Sequence, residues 1–486
     1  MAAAASPLIA PALSRRQLAG LWSRHLLSLY LPVNALLFLW TGPHAWWVAV
    51  LFMAPLVVAH QVDCAPFREL RQPLAGLPAR PYDLLVYGLA AVQFWVVFEV
   101  VRLFSVQGFF SFDALMLFFV VGSSSGFSIV TAHELIHRRN PWEQRLGRLL
   151  LCTVLYEHFY TEHLRGHHLR VGTAEDPATA RFGEDYEPFF RRTVPAQFRS
   201  AWRLEKQRMG DADMRLLDPR MLRNRILHGL LLEWGVAFAV FASFGFVAFA
   251  AFVLQAFMAV RLLEAVNYFE HWGLKRRGPT VRAQDSWDTH SWFTYYALIG
   301  LARHADHHAR ASRPYQQLLT DERAPLLPVG YLGLVDMVLG RNDEFQKLAT
   351  EELARRRLGP FAEEEAEAAE AGRAREALER ARVRGGAPPG PLVTAFLRIP
   401  ITARRVGVFL ALVLVTAAGV QWEAGAAELG IGARMLLHAW ILGSFVFVVA
   451  TREWVAAKLG DNLSWVLAFS GVIAAGWISG RLSQVL

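Results

Sequence analysis

The sequence predicts an all-α integral membrane protein, and three observations predict it. Of 486 residues, 54% are hydrophobic and 19% charged, where soluble domains run at roughly 45–50% and about 25%. The apolar residues gather in runs of bilayer-spanning length, about 20 residues each. The loops between these runs differ sharply in lysine and arginine content. The same composition excludes disordered, collagenous and low-complexity chains. Two cysteines exclude a disulfide scaffold, an all-cysteine zinc site and a cysteine-ligated iron–sulfur centre.

The first run covers residues 17–40. Arg15, Arg16 and Arg24 precede or enter it and no basic n-region leads it, so it reads as an uncleaved first transmembrane helix and not a signal peptide. A short second run spans 45–59, a third 82–101 and a fourth 109–130. The stretch 229–263 is twice the needed length, and Gly245 near its middle predicts a helical hairpin. Aromatics inside these runs (Trp46, Trp47, Phe94, Trp95, Phe118 and Phe119) read as lipid-facing side chains or as a pocket that gauges chain length.

The loops at 41–44 and 105–113 and the turn near Gly245 carry no lysine or arginine. The 63–81 loop holds Arg68, Arg71 and Arg80, and 133–228 is studded with arginine. The positive-inside rule then places the N-terminus, 63–81, 133–228 and 267–400 in the cytoplasm, with six spans in three hairpins. The net charge of +8 reads as this bias plus attraction to anionic headgroups, not as nucleic-acid binding.

The expected organisation is a membrane catalytic domain over 1–350 and a charged helix with a Gly/Pro linker over 351–391. A C-terminal membrane bundle of two or three helices over 392–486 follows, without an assigned role.

The chemistry sits on nine of the sixteen histidines. His133-Glu-Leu-Ile-His137 ends the fourth run, and residues four apart share a helix face. His163-x3-His167-His168, the lone His271 and His304-x2-His307-His308 follow. All nine fall on the one predicted membrane face. A single zinc takes about four ligands, so the count favours two metals with four or five histidines each. Imidazole alone does not choose among zinc, copper, iron and nickel. Glu134, Glu162, Asp176, Glu270 and Asp306 are nearby acids that could orient imidazole tautomers, and His158 and His290 are further polar neighbours. His133 to His137 also matches the H-E-x-x-H zinc-protease signature, which leaves the other seven histidines unexplained.

The three boxes H-x3-H, H-x3-HH and H-x2-HH resemble the membrane di-iron superfamily of fatty-acid desaturases and hydroxylases. The stretches NYFEHWGL (267–274), HHLRVGTAEDPATAR (167–181) and RHADHHARASRPYQ (303–316), with Ser286-Trp287 and the LPVGY of 327–331, are similar to the integral-membrane alkane 1-monooxygenases. The resemblance runs from about 15 to 350. It implies two iron ions held by the nine histidines and O2 as co-substrate. It also implies terminal hydroxylation of an alkyl chain, with electrons from a rubredoxin or ferredoxin-type donor and its reductase. Cys64 and Cys152, with no C-x2-C, imply that this donor is a separate protein. The expected location is a bacterial-type inner membrane with the site on the cytoplasmic side. The chain departs from the family at Ala302, at Asp288-Thr289-His290-Ser291 and at Asp63-Cys64-Ala65-Pro66, which leaves chain length and substrate shape open. A desaturase or an aromatic-methyl or terpenoid hydroxylase would share the same boxes, and a non-enzymatic membrane receptor is the remaining class.

Overall fold

The computed structural model describes residues 14–74, 77–108 and 111–362, and the expected linker and C-terminal membrane bundle lie outside them. The described residues are helical, with no strand among them beyond two isolated bridges, Arg68–Ser291 and Asp288–Leu326. Four helices are long and apolar enough to cross a membrane: Trp46–Cys64, Ala79–Val106, Phe112–His137 and Arg225–His271. Large apolar side chains stand exposed along them, among them Leu84, Trp95, Phe98, Phe119, Phe238 and Phe246. Such a surface is costly in water and natural in lipid.

The first run does not form one uninterrupted helix. It breaks into Arg15–His25, a 3-10 turn Leu26–Leu29 and Tyr30–Thr41. The cause is Pro32, whose ring excludes the carbonyl of Ser28 and which offers no N–H to it. Pro32 therefore sits in the first turn of a new helix, where no donor is required.

The 47-residue helix is two helices joined at Gly245, whose φ of 83° lies in the left-handed region that only glycine adopts freely. Glu233 accepts from the backbone of Glu157, while Gln255 donates to the carbonyl of Thr153. In a straight helix residues 233 and 255 would lie about 33 Å apart. Both reach the same short segment, so the chain doubles back at Gly245 as the sequence predicts.

The helix ends fall into two sets. At one end His44 pairs with Asp113 at 2.9 Å, and Arg102 donates to the carbonyl of Leu39. At the other end Arg138, just after Phe112–His137, pairs with Asp83 at the start of Ala79–Val106 at 2.8 Å. Asp63 is tied in there too. Its buried carboxylate accepts from the hydroxyls of Ser291 at 2.5 Å and Thr294 at 2.6 Å, and from the Leu332 amide at 2.7 Å. One side chain thus holds the end of Trp46–Cys64 to the segments on either side of the last histidine box. Asp63→Ala strands these donors in a buried site and is expected to cost about 3 kcal/mol or more. The check is a lowered unfolding temperature in detergent, with Asp63→Asn recovering part of the loss.

The helix Asn342–Arg356 runs past residue 350, and its Leu353 packs against Gly273, two residues beyond His271.

Candidate metal centre

Helical spacing decides which face each imidazole joins. His133 and His137 lie one α-turn apart at the end of Phe112–His137. The second box is not α-helical. His163–His167 forms a π-helical turn, whose wider i→i+5 pitch brings His163 and His168 together edge to face, 4.5 Å between ring centroids. His167, displaced from that row, points elsewhere. In His304–Ala309, His304 and His308 share a face one α-turn apart, and His307 turns aside.

The result is one group of five histidines and, beside it, two overlapping sets that hold the other four. His133, His137, His163, His168 and His307 converge with their ring nitrogens within 4.8 Å of one another. His167, His271 and His308 form a second set, and Glu270, His271 and His304 a third that shares His271 with it. Six of the nine are buried and His133, His137 and His168 are half-buried.

The distances are ones that ligands of a common ion would take. The Nε2 atoms of His163 and His137 are 2.9 Å apart, those of His168 and His163 3.0 Å, those of His308 and His304 3.0 Å, and those of His304 and His271 3.2 Å. Nitrogens about 2.1 Å from one ion lie roughly 3.0 Å apart at right angles and roughly 3.4 Å apart at the tetrahedral angle. Right-angled spacing and five donors in one group suit an ion of high coordination number. Burial, with mutual proximity, holds His163, His168, His304, His307 and His308 well below the usual imidazole range. They are neutral at pH 7 and ready as ligands. The Nε2 atoms of His167 and His307 have no protein partner at all.

Protons bind such imidazoles more readily in the unfolded chain than in the folded one. The metal-free protein should therefore lose stability as pH falls below about 6.5, and a bound metal should raise stability while leaving that loss in place, because protons compete for the same nitrogens. Unfolding temperatures against pH, with and without metal, check this.

Two of the nearby acids touch the histidines. Asp176 accepts from Nδ1 of His167 at 2.9 Å and is itself fixed by the Thr179 hydroxyl at 2.6 Å. Glu270 lies 3.2 Å from Nε2 of His304, and its other oxygen accepts from Tyr331 at 2.6 Å. The rest point elsewhere. Glu134 faces Arg138, Glu162 faces Arg170 across Gly166, and Asp306 accepts from Arg310, Arg313 and the Leu319 amide. His158 packs between Tyr156 and Phe198, and His290 uses its carbonyl to hold Glu69. A Gly166→Ala methyl would fall on the Glu162–Arg170 pair. It should open the π-turn and lower metal content, which elemental analysis reads.

Sequence reasoning passed over Tyr331 and the capping role of Asp288. The Asp288 carboxylate accepts from the Ala305 amide at 2.7 Å, so it caps the helix that carries the last box. Burial pushes it up to about 8. A small cavity reaches the first group, lined by Val130, His133, Ile299, Leu301, His307 and Leu318, with Glu134 and Tyr315 at its rim.

The sequence model of the fatty acid desaturase family matches residues 111–326, which contain all nine histidines. Alkane 1-monooxygenase 1 of Pseudomonas aeruginosa is 41% identical over 217 residues, 43% of this chain and 56% of that protein. Alkane 1-monooxygenase 2 of Alcanivorax borkumensis is 32% identical over 270 residues, 53% of this chain and 69% of that protein. The xylene/toluene monooxygenase hydroxylase component XylM of Pseudomonas putida is 22% identical over 205 residues, 41% of this chain and 54% of that protein. The chain spans between half and two thirds of the length of most of these curated relatives.

Proposed function

The chain belongs with the alkane 1-monooxygenases in the fatty acid desaturase family, and we propose that it hydroxylates the terminal carbon of an alkyl chain with O2. One oxygen atom enters the alcohol and the other leaves as water, with two electrons and two protons supplied from outside. The observation that carries this reading is the convergence of nine imidazoles, five in one group and four beside Glu270 in the other.

The residues suit two irons. His133, His137, His163, His168 and His307 would hold one, and His167, His271, His304 and His308 the other, with Glu270 at its edge. Bound iron supplies the redox chemistry that activates O2 for attack on a C–H bond. The protein does the rest. Asp176 keeps the proton of His167 on Nδ1, which leaves Nε2 free to ligate. Val130, Ile299, Leu301 and Leu318 line a small cavity beside His133 and His307, where the alkyl end would have to enter. Exposed apolar helices let a hydrocarbon dissolved in the bilayer arrive sideways.

Six membrane passes, with the N-terminus and the histidine end cytoplasmic, follow from the charge pattern and from the two sets of helix ends. A rubredoxin or ferredoxin-type protein brings the electrons, as the kinship with the alkane 1-monooxygenases suggests. Electrostatic steering by the arginines of that face suits an acidic donor. The hydroxylase domain over 1–350, the 351–391 linker and a C-terminal bundle over 392–486 complete the proposed organisation.

The test is a metal analysis with a product analysis. Two irons per chain and a primary alcohol support the reading. An alkene would instead mark a desaturase, and oxidation confined to ring methyl groups would mark a relative of XylM in substrate as well as sequence.

A further inference from the structure

We propose that Tyr315, Tyr82, His25 and Tyr296 form a one-electron relay that drains oxidising equivalents from the histidine centre when no alkyl chain is there to receive them. The inference rests on the O2-using reading above.

The cluster is unusual for a packed core. His25, 4% exposed, stands inside four tyrosine rings. Its centroid is 5.3 Å from Tyr82, 5.3 Å from Tyr315, 4.9 Å from Tyr296 and 5.8 Å from Tyr295. Tyr82 and Tyr315 are 5.9 Å apart, and Tyr295 and Tyr296 4.9 Å. Phenylalanine or leucine would fill this space without bringing hydroxyls that need partners. The Nδ1 of His25 has no partner at all.

The cluster is continuous at both ends. Tyr315 borders the cavity that His133 and His307 line. At the far end the Tyr296 hydroxyl donates to the Glu69 carboxylate at 2.8 Å, and Glu69 pairs with the outward-facing Arg71 at 2.6 Å. The half-buried ring of Trp292 lies 5.4 Å beyond Tyr296. Ring neighbours thus lead from Tyr315, across the cavity from His133 and His307, to the surface.

Chemistry selects Tyr296 as the terminus. A phenol gives up an electron cheaply only when its proton leaves at the same time. Tyr296 donates to a carboxylate, whereas Tyr315 has only a carbonyl at 3.4 Å. Arginine lies beside both rings, Arg303 at 4.2 Å over Tyr295 and Arg24 on the Tyr296 hydroxyl, so the carboxylate that can take its proton is what distinguishes Tyr296.

The oxidant is the metal centre after O2 activation with no C–H bond in reach. One electron passes from Tyr296 through His25, Tyr82 and Tyr315 to that centre, which is reduced by one. The Tyr296 O–H bond breaks, its proton goes to Glu69, and a neutral tyrosyl radical remains. A thiol or the electron donor at the surface returns one electron, and the proton returns from Glu69.

The experiment treats iron-loaded protein with hydrogen peroxide, without alkane, and freezes it for electron paramagnetic resonance. Wild type should give a tyrosyl signal that Tyr296→Phe abolishes and Glu69→Gln weakens. Tyr296→Phe should keep its initial rate of alkane hydroxylation yet accumulate severalfold more oxidised His133 and His307, read by peptide mass spectrometry. A signal unchanged in Tyr296→Phe, or no tyrosyl signal in a wild-type protein that consumes O2, overturns the relay alone. A protein that consumes no O2 with donor and alkane overturns the relay together with the reading beneath it.

Discussion

Alanine at both His307 and His308 is expected to end alcohol formation and to strip metal from both histidine groups. The two residues are adjacent in sequence but serve different groups, because one helical step turns His307 toward His133 and His137 and His308 toward His167 and His271. A single alanine leaves one group complete. His307→Ala should hold the second metal and lose the first, and His308→Ala the reverse. Each single variant should already fall below detectable turnover, because the proposed O2 activation uses both ions. Elemental analysis beside product assay separates the three cases. The experiment also decides against a zinc protease, in which His133, His137 and Glu134 would work without the last box. The structure gives that role little support, since Glu134 is engaged with Arg138.

Asp176→Ala should weaken metal binding at the second group by about 10–100-fold, the usual cost of losing a carboxylate that orients a ligating histidine. The carboxylate is fully enclosed, fixed by Thr179 and bonded to Nδ1 of His167. Without it, His167 can rotate or place its proton on Nε2, which removes the donor. Asp176→Asn keeps one acceptor oxygen and should lie between the two. Thr179→Val, one bond further out, should cost less than either. Competitive metal titration of the purified variants gives the order, and activity should follow metal occupancy.

Local signals were legible in the sequence. Apolar run length and the mid-run position of Gly245 located the long helices and the hairpin turn, because both depend on residues near in sequence. The H-x3-H spacing gave the shared face of His133 and His137 directly from the α-helical repeat. Two features depended on more than local pattern. Pro32 was visible, but its break in an otherwise unbroken apolar run is a backbone effect that hydropathy does not register. The π-turn at His163–His167 changes which histidines meet, and only packing around Gly166, Glu162 and Arg170 supports it.

The acids divide for the same reason. Asp176 and Glu270 meet imidazoles, while Glu134, Glu162 and Asp306 meet arginines nearby in the chain. Four of the five adjoin a histidine in sequence, whereas Asp176, eight residues from His168, is one of the two that meet an imidazole, so sequence distance does not sort them. Asp63 and Tyr331 were harder still. Asp63 bonds residues 228 to 269 positions away, and Tyr331 reaches Glu270 across 61 residues. No spacing rule reports contacts of that kind.

The most direct test of the central claim is labelled-oxygen incorporation by iron-loaded protein in lipid, given a reduced rubredoxin-type donor, a panel of alkanes and isotopically labelled O2. The account predicts two irons per chain and a terminal alcohol whose oxygen carries the label. One zinc per chain with no labelled product would contradict it.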